Sequence, residues 1–291
     1  MTFPAAAVPL VFVLIWATGF IVARLVAPHV DPLTFLTIRY VLSAAVFTAF
    51  AIAVGAAWPR GVRAWRNAAV AGVLLQGVYL GGVFWAVRHG LPAGISALLA
   101  GLQPLMTALL AFPLLGERVG ARRWAGIAVG FAGALLVLEP QVEAGLRAAG
   151  GLAVWPLVVS AVSTLGITLG TIWQKRTAAA ADLRTNAAVQ FMAAAVVTAP
   201  VAALTEAGRF DMSWQAWAGL AWAVCGLSFG AVSLLLLLIK RGAVAGVASL
   251  FYLVPPVVAV LAFALFGEQL TAVQVVGMVL ASAGVAVASR G

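Results

Sequence analysis

Acidic residues are scarce in this sequence: only eight carboxylates occur in 291 residues, and charged side chains of both signs together make up 9%. A soluble domain carries about 25% charged residues, so this chain could not cover a surface facing water. Histidine and cysteine are scarcer still, at two and one. Cys225 alone cannot close an internal disulfide, and in its apolar run it reads as a small inert hydrophobe. Hydrolytic chemistry in a bilayer needs a nucleophile with a base, or a metal cluster, and these residues make neither. The sequence therefore asks for no metal and no cofactor, and it does not read as an enzyme. Met1 to Val8 lack the positive charge of a secretory leader, so the first apolar stretch reads as a retained span.

What is abundant is apolar. Hydrophobic residues make up 64% of the chain, with a mean hydropathy of +1.12. At about 20 residues per spanning helix there is room for roughly ten spans and no soluble catalytic domain. Breaking the apolar runs at Gly, Pro and charge clusters predicts spans at 8–28, 33–55, 67–87, 92–114, 121–138, 152–172, 184–204, 214–239, 243–265 and 271–289. Membrane strands would alternate polar and apolar residues over about ten positions, whereas these runs are longer and continuously apolar. The expected class is an all-α integral membrane protein with the lipid bilayer as its solvent.

The net charge of +9 is not a nucleic-acid signal, because the cations form no contiguous basic face. They are distributed by side. Arg60, Arg63, Arg66, Arg118, Arg122, Arg123, Lys175, Arg176, Arg184, Lys240, Arg241 and Arg290 fall on one side of the predicted spans, and Arg24, Arg39, Arg88, Arg147 and Arg209 on the other. The positive-inside rule then places both termini in the cytoplasm.

The chain also resembles itself. At an offset of 152, Arg88-His89-Gly90 aligns with Lys240-Arg241-Gly242, and at 151 Pro104 aligns with Pro255, Gly116-Glu117 with Gly267-Glu268, Gly126 with Gly277, and Gly133 with Gly284. At 150, Leu33 falls on Leu183 and Ala44-Ala45-Val46 on Ala194-Ala195-Val196. The expected organisation is two five-helix repeats, 1–146 and 147–291. Five is odd, so the second copy enters the membrane from the opposite face. Inverted repeats of this kind are common in secondary transporters.

These residues resemble the drug/metabolite transporter superfamily in its EamA-type ten-helix branch. The resemblance is carried by Trp16-Ala17-Thr18-Gly19-Phe20, Arg39, Pro92-Ala93-Gly94-Ile95-Ser96-Ala97-Leu98-Leu99, Gln103-Pro104-Leu105-Met106-Thr107-Ala108-Leu109-Leu110 and Gly116-Glu117-Arg118. It implies a small-metabolite exporter of the bacterial inner membrane, the nearest type being the YddG-like amino-acid exporters. Small multidrug exporters of that superfamily rely on an intramembrane acid. All eight carboxylates here fall in predicted loops or at span ends, which argues against cationic-drug export. The expected mode is alternating access with facilitated diffusion; the competing readings are a proton-coupled exporter of another small metabolite or drug and, from a different class, a membrane receptor or scaffold, and the sequence leaves monomer and homodimer open.

Polar side chains at membrane depth are the candidates for the pathway. Ser96, Gln103 and Thr107 share a face of the fourth span, and Ser160, Thr164, Thr168 and Thr171 a face of the sixth. Trp16 sits mid-span beside Thr18, unlike Trp58, Trp65, Trp124 and Trp214, which mark span ends. The expected small-molecule substrate site comprises Trp16, Thr18, Gln76, Tyr79, Gln103, Ser163, Thr164, Ser228, Ser249 and Tyr252. For the Ser and Thr members, back-bonding to the helix is an equal alternative. Arg39 lies about two turns inside its span, within reach of snorkelling or of a substrate carboxylate. Pro104, Pro255 and Pro256 are expected to break their helices midway. Gly77 and Gly81, Gly126 and Gly130, Gly166 and Gly170, and Gly226 and Gly230 have the spacing of helix-packing pairs.

Overall fold

The computed structural model describes residues 8–91, 96, 99–116, 118–148, 154–177, 181–241, 250–266 and 271–289. Helices α1 (Val8–Val26) and α2 (Pro32–Ala53) are followed by α3, Gly61–Arg88, which contains a π-helical stretch at Val73–Val78. Then come α4 (Gln103–Leu115), α5 (Ala121–Ala148), α6 (Val154–Thr177) and α7 (Leu183–Thr205). Helix α8 joins Trp214–Trp222, a π-helical Ala223–Val232 and Ser233–Arg241 without a break. A 3-10 turn at Leu250–Leu253 leads into α9 (Val254–Phe266), and α10 is Ala272–Ser289.

Helices α1, α2, α3, α6, α7 and α8 are each long and apolar enough to cross a bilayer. Their outer faces stay apolar, with Leu10, Ile52, Trp155, Val196 and Leu204 exposed. A helical bundle that turns such side chains outward is built for lipid, and the chain is an integral membrane protein.

Two sequence expectations change. Pro104 is not inside a helix but in the first turn of α4, and Pro255 and Pro256 occupy the first turn of α9. Proline is tolerated there because the first amides of a helix have no intrahelical acceptor; in both places a turn precedes the helix. The fifth span was expected to end at 138, yet α5 continues to Ala148, so Glu139 and Glu143 lie on its last turns. At about 1.5 Å per residue, α5 exceeds a hydrocarbon core of about 30 Å, and Glu139 is exposed.

Sequence-distant capping fixes the helix ends. The Glu206 carboxylate, after α7, accepts from the backbone amides of Leu33 and Thr34 at 2.8 and 2.7 Å and from the Thr34 hydroxyl at 2.9 Å. An acid at a helix N-terminus satisfies orphan amides and opposes the helix dipole. Nearby, the amide of Asp31 donates to Arg209 O and that of Asp211 to His29 O, tying the α1–α2 and α7–α8 loops together.

The packing has a regular pattern. Helix α5 packs on α10 and α2 on α7; α3 lies against α6 and α7, α1 against α8 and α9, and α4 against α6. The α5–α10 contact is made by glycine. A Cβ at Gly126 would strike the backbone of Gly284 and Ala288, and one at Gly133 the backbone of Gly277 and Ala281. As one helix ascends the other descends, so the pair is antiparallel. Gly166 and Gly170 hold α6 against Val78 and Leu75 of α3, whereas Gly226 meets Trp222 of its own helix.

Candidate functional site

Two apolar cores divide the bundle. One gathers Phe35, Tyr40, Phe47, Phe191 and Leu220; the other gathers Phe12, Tyr79, Ile127, Phe251 and Tyr252. Trp16 packs against both. Its ring centroid is 5.3 Å from Phe12 and 5.4 Å from Phe251, with the Phe251 ring at 90° to it. Phe12 and Trp16 meet because residues four apart share a helix face, a spacing visible in the sequence that the sequence reading did not use. Tyr79 is buried where α3 leaves its π-helical stretch, in the same core as Phe12 and Phe251. Tyr252 is fully buried, its ring lying over Gly130, where a Cβ could not fit.

Several buried polar atoms of the bundle are short of partners. Among the described residues, neither the amide oxygen nor the amide nitrogen of Gln103 has one, nor do the hydroxyls of Thr107 and Tyr252 or the side-chain oxygen of Gln76. A buried polar group without a partner costs roughly 1–3 kcal/mol, so each of these atoms has unspent hydrogen-bonding capacity. All of them are neutral. Tyr252 belongs to the core that holds Phe12 and Phe251, and α4, which carries Gln103 and Thr107, contributes Leu105 and Ala108 to it.

The other expected residues fall differently. Thr18 is committed: its hydroxyl donates to Ile15 O at 2.6 Å and accepts from the Trp222 indole at 2.8 Å. Ser163 and Thr164 donate to Val159 O and Ser160 O of their own helix, and Ser163 fills the gap left by Gly82. Thr168 and Thr171 also back-bond, and Ser96 pairs with Ser160 at 3.1 Å. Ser228 is buried in the π-helical part of α8 and accepts from Arg39 Nε at 3.0 Å. Ser249 lies outside the described residues. Arg39 does not snorkel, for it is only 4% exposed and points inward.

The π-helical stretches were not foreseen. A π-helix bonds i to i+5 in place of i to i+4, and no composition signal announces it. Here the Tyr40 hydroxyl, on α2, donates to Gln76 O inside the first stretch at 2.9 Å, while its neighbour Arg39 reaches Ser228 in the second. A third polar group, unrelated to the aromatic site, joins α6 and α7: Gln190 Nε2 donates to Gln174 Oε1 and Asn186 Oδ1 at 2.9 and 2.6 Å. A cleft of about 430 Å³ between α3 and α7, lined by Trp65 and Met192 among others, opens sideways and is apolar. Among the described residues no cluster of His, Cys, Asp and Glu could hold a metal.

Comparison with known proteins agrees with this architecture. The profile of the EamA-like transporter family matches residues 4–139 and again 154–290. The chain is similar to the inner membrane transporter YedA of Escherichia coli, 27% identical over 63% of this chain and 57% of the relative. It is similar to protein PecM of Dickeya dadantii, 30% identical over 66% of this chain and 61% of PecM, and to a chloroplastic WAT1-related protein of Arabidopsis thaliana, 29% identical over 44% and 30% respectively. The chain thus matches less than two thirds of the length of these relatives. A solved crystal structure superposes with a TM-score of 0.80 over 97% of this chain and 96% of that one at 22% identity, which shows a shared fold.

Proposed function

The chain belongs to the EamA-like transporter family, a membrane transporter of the drug/metabolite type, and on that premise we propose that it exports small metabolites across the bacterial inner membrane, amino acids with apolar or aromatic side chains foremost. The observation that carries the substrate class is the aromatic group around Trp16 together with the unpartnered neutral polar atoms of the bundle. Rings take up an apolar side chain, and free amide and hydroxyl groups take up a small polar head.

The proposed machine has ten spans in two inverted five-helix repeats, with both termini cytoplasmic. What supports the inversion is the pairing of glycines. Gly126 and Gly277 are equivalent at an offset of 151, as are Gly133 and Gly284; Gly126 packs on Gly284 and Gly133 on Gly277. Each residue meeting the copy of the other, on antiparallel helices, is the contact pattern of a two-fold axis perpendicular to the helices. The helix contacts support it too, because exchanging each helix for the one five further on turns α3–α6 into α8–α1 and α4–α6 into α9–α1. So do the π-helical stretches, which begin at Val73 and Ala223, 150 residues apart. Two such halves can exchange conformations and expose a central site to alternate faces.

Energy coupling follows from where the acids are. Asp31, Asp182, Glu206 and Asp211 lie in loops or at helix ends, and Glu139 and Glu143 stand in the last third of α5, the helix that exceeds the hydrocarbon core; on this reading none of the described acids carries a proton at depth. Transport then runs as facilitated diffusion down the substrate's own gradient. In liposomes holding the purified protein, labelled phenylalanine or leucine should equilibrate without a pH gradient and respond little when one is imposed in either direction. No flux of any amino acid would remove the reading. Accumulation above equilibrium, driven by a proton gradient and abolished by a protonophore, would replace facilitated diffusion with proton coupling.

A further inference from the structure

Arg39 is the most expensive side chain in the bundle. Its guanidinium is always charged, it lies about 10 Å inside the end of α2 by helix rise, and it is only 4% exposed. A cation so placed normally has an anion beside it. Among the described residues none pairs with it: the one hydrogen bond is from Nε to the neutral Ser228 hydroxyl. The terminal nitrogens have no hydrogen-bond partner among the described residues.

The depth of this guanidinium relative to the aromatic group can be read from the packing of α1 on α8. The Gly230 position faces Ile15, that of Gly19 faces Leu227, and that of Gly219 faces Val26. The numbers rise on one helix as they fall on the other, so Ser228 stands level with Ala17 and Thr18. That is one or two residues from Trp16, about 3 Å along the axis. Trp16 packs against both cores, so it stands at the boundary between the aromatic group and the Arg39 side of the bundle.

We infer that Arg39 is the carboxylate-recognising residue of the transport site, the unpaired guanidinium edge taking the anionic end of a substrate whose apolar part rests on Trp16 and its neighbouring rings. Nε stays on Ser228, which leaves the terminal nitrogens to donate toward the carboxylate, a charge-assisted contact of the strong kind. The permanent charge also explains why the site holds no acid, since a buried carboxylate would occupy the guanidinium and compete with the substrate. The inference rests on the reading of this chain as an amino-acid transporter and adds to it the requirement for a carboxylate.

Competition on the wild-type protein in liposomes is the first arm of the test. Against labelled phenylalanine flux, 3-phenylpropionate, which keeps the carboxylate and lacks the ammonium group, should inhibit about tenfold better than phenethylamine, which keeps only the ammonium group. The second arm is Arg39→Gln, which should raise the KM for phenylalanine about tenfold or more, a factor of ten being about 1.4 kcal/mol, and should erase the preference for phenylpropionate. Arg39→Lys should retain part of that preference. A merely structural Arg39 would weaken both competitors alike and leave their ratio unchanged, and that result overturns the inference. Equal competition by the two compounds in the wild type overturns it even if Arg39→Gln fails to fold. A wild type that carries phenylalanine but shows no such preference defeats only this assignment, whereas one that carries no amino acid defeats the transport reading together with it.

Discussion

At the residue scale, the site combines side chains that are fully satisfied with side chains that are not. Thr18, Ser163 and Thr164 spend their hydroxyl protons on backbone carbonyls of their own helices, the usual fate of short polar groups in a spanning helix. Gln103 is too long for that bond and keeps both amide atoms free. An apolar replacement should therefore relieve a desolvation cost while removing a ligand. Gln103→Leu is expected to melt at or above the wild-type temperature, by up to about 1 kcal/mol, while export falls roughly tenfold. Tyr79→Ala should lower export to a similar degree. Unaltered flux in both variants would dismiss the aromatic group as the site.

At the scale of elements, two contacts hold helices that are far apart in sequence. Between α5 and α10 the backbones approach so closely that side chains are excluded at Gly126, Gly133, Gly277 and Gly284. Such packing is the main source of helix association where lipid is as apolar as the helix. Gly133→Leu should separate the two helices and cost about 2 kcal/mol or more, read as a lowered melting temperature with the other helices intact. A neutral result would mean the contact is dispensable. The second contact joins the loops before α2 and before α8 through the backbone amides of Asp31 and Asp211, and within the latter loop Arg209 pairs with Asp211. Two hydrogen bonds from Arg209, at 3.1 and 2.7 Å, pull the Asp211 carboxyl below its ordinary range. An acid depressed in the folded state stabilises above its unfolded pKa, about 3.9 for Asp, and loses that contribution as pH falls through the lower folded value. The pair is exposed, so the effect is small. Melting followed from pH 6 to 3 should decline less steeply in Asp211→Asn than in the wild type; superimposable curves would show that the pair contributes nothing.

At the scale of the whole molecule, orientation is a question of which face each loop reaches. The arginine-rich side of the predicted spans includes the start of α3, and the α7–α8 loop lies on the other. Val62 and Met212 are 84% and 81% exposed, which makes them clean reporters on a Cys225-free background. Val62→Cys should react with an impermeant thiol reagent only from the cytoplasm and Met212→Cys only from outside. The reverse pattern would invert the topology and with it the direction assigned to export.

The sequence by itself determined the class of molecule, because hydropathy and charge are summed along the chain and need no partner to be read. The scarcity of acids, the repeat at offsets of 150 to 152, the apolar runs and the presence of Trp16, Tyr79 and Gln103 within them are all of this kind. The tertiary structure decided what depends on neighbours. A hydroxyl looks the same in sequence whether it bonds its own helix, as at Thr164, or holds a guanidinium, as at Ser228. Pro104 and Pro255 read as kinks until the preceding turns show that a helix begins there. The two π-helical stretches carry no compositional mark, since the widened turns are stabilised from outside, by Tyr40 in one case. Arg39 was within reach of lipid headgroups by position alone, and the packing of α2 on α8 turned it inward. Periodicity and composition are local sums, whereas burial and hydrogen-bond satisfaction are pairwise quantities fixed only when distant helices meet.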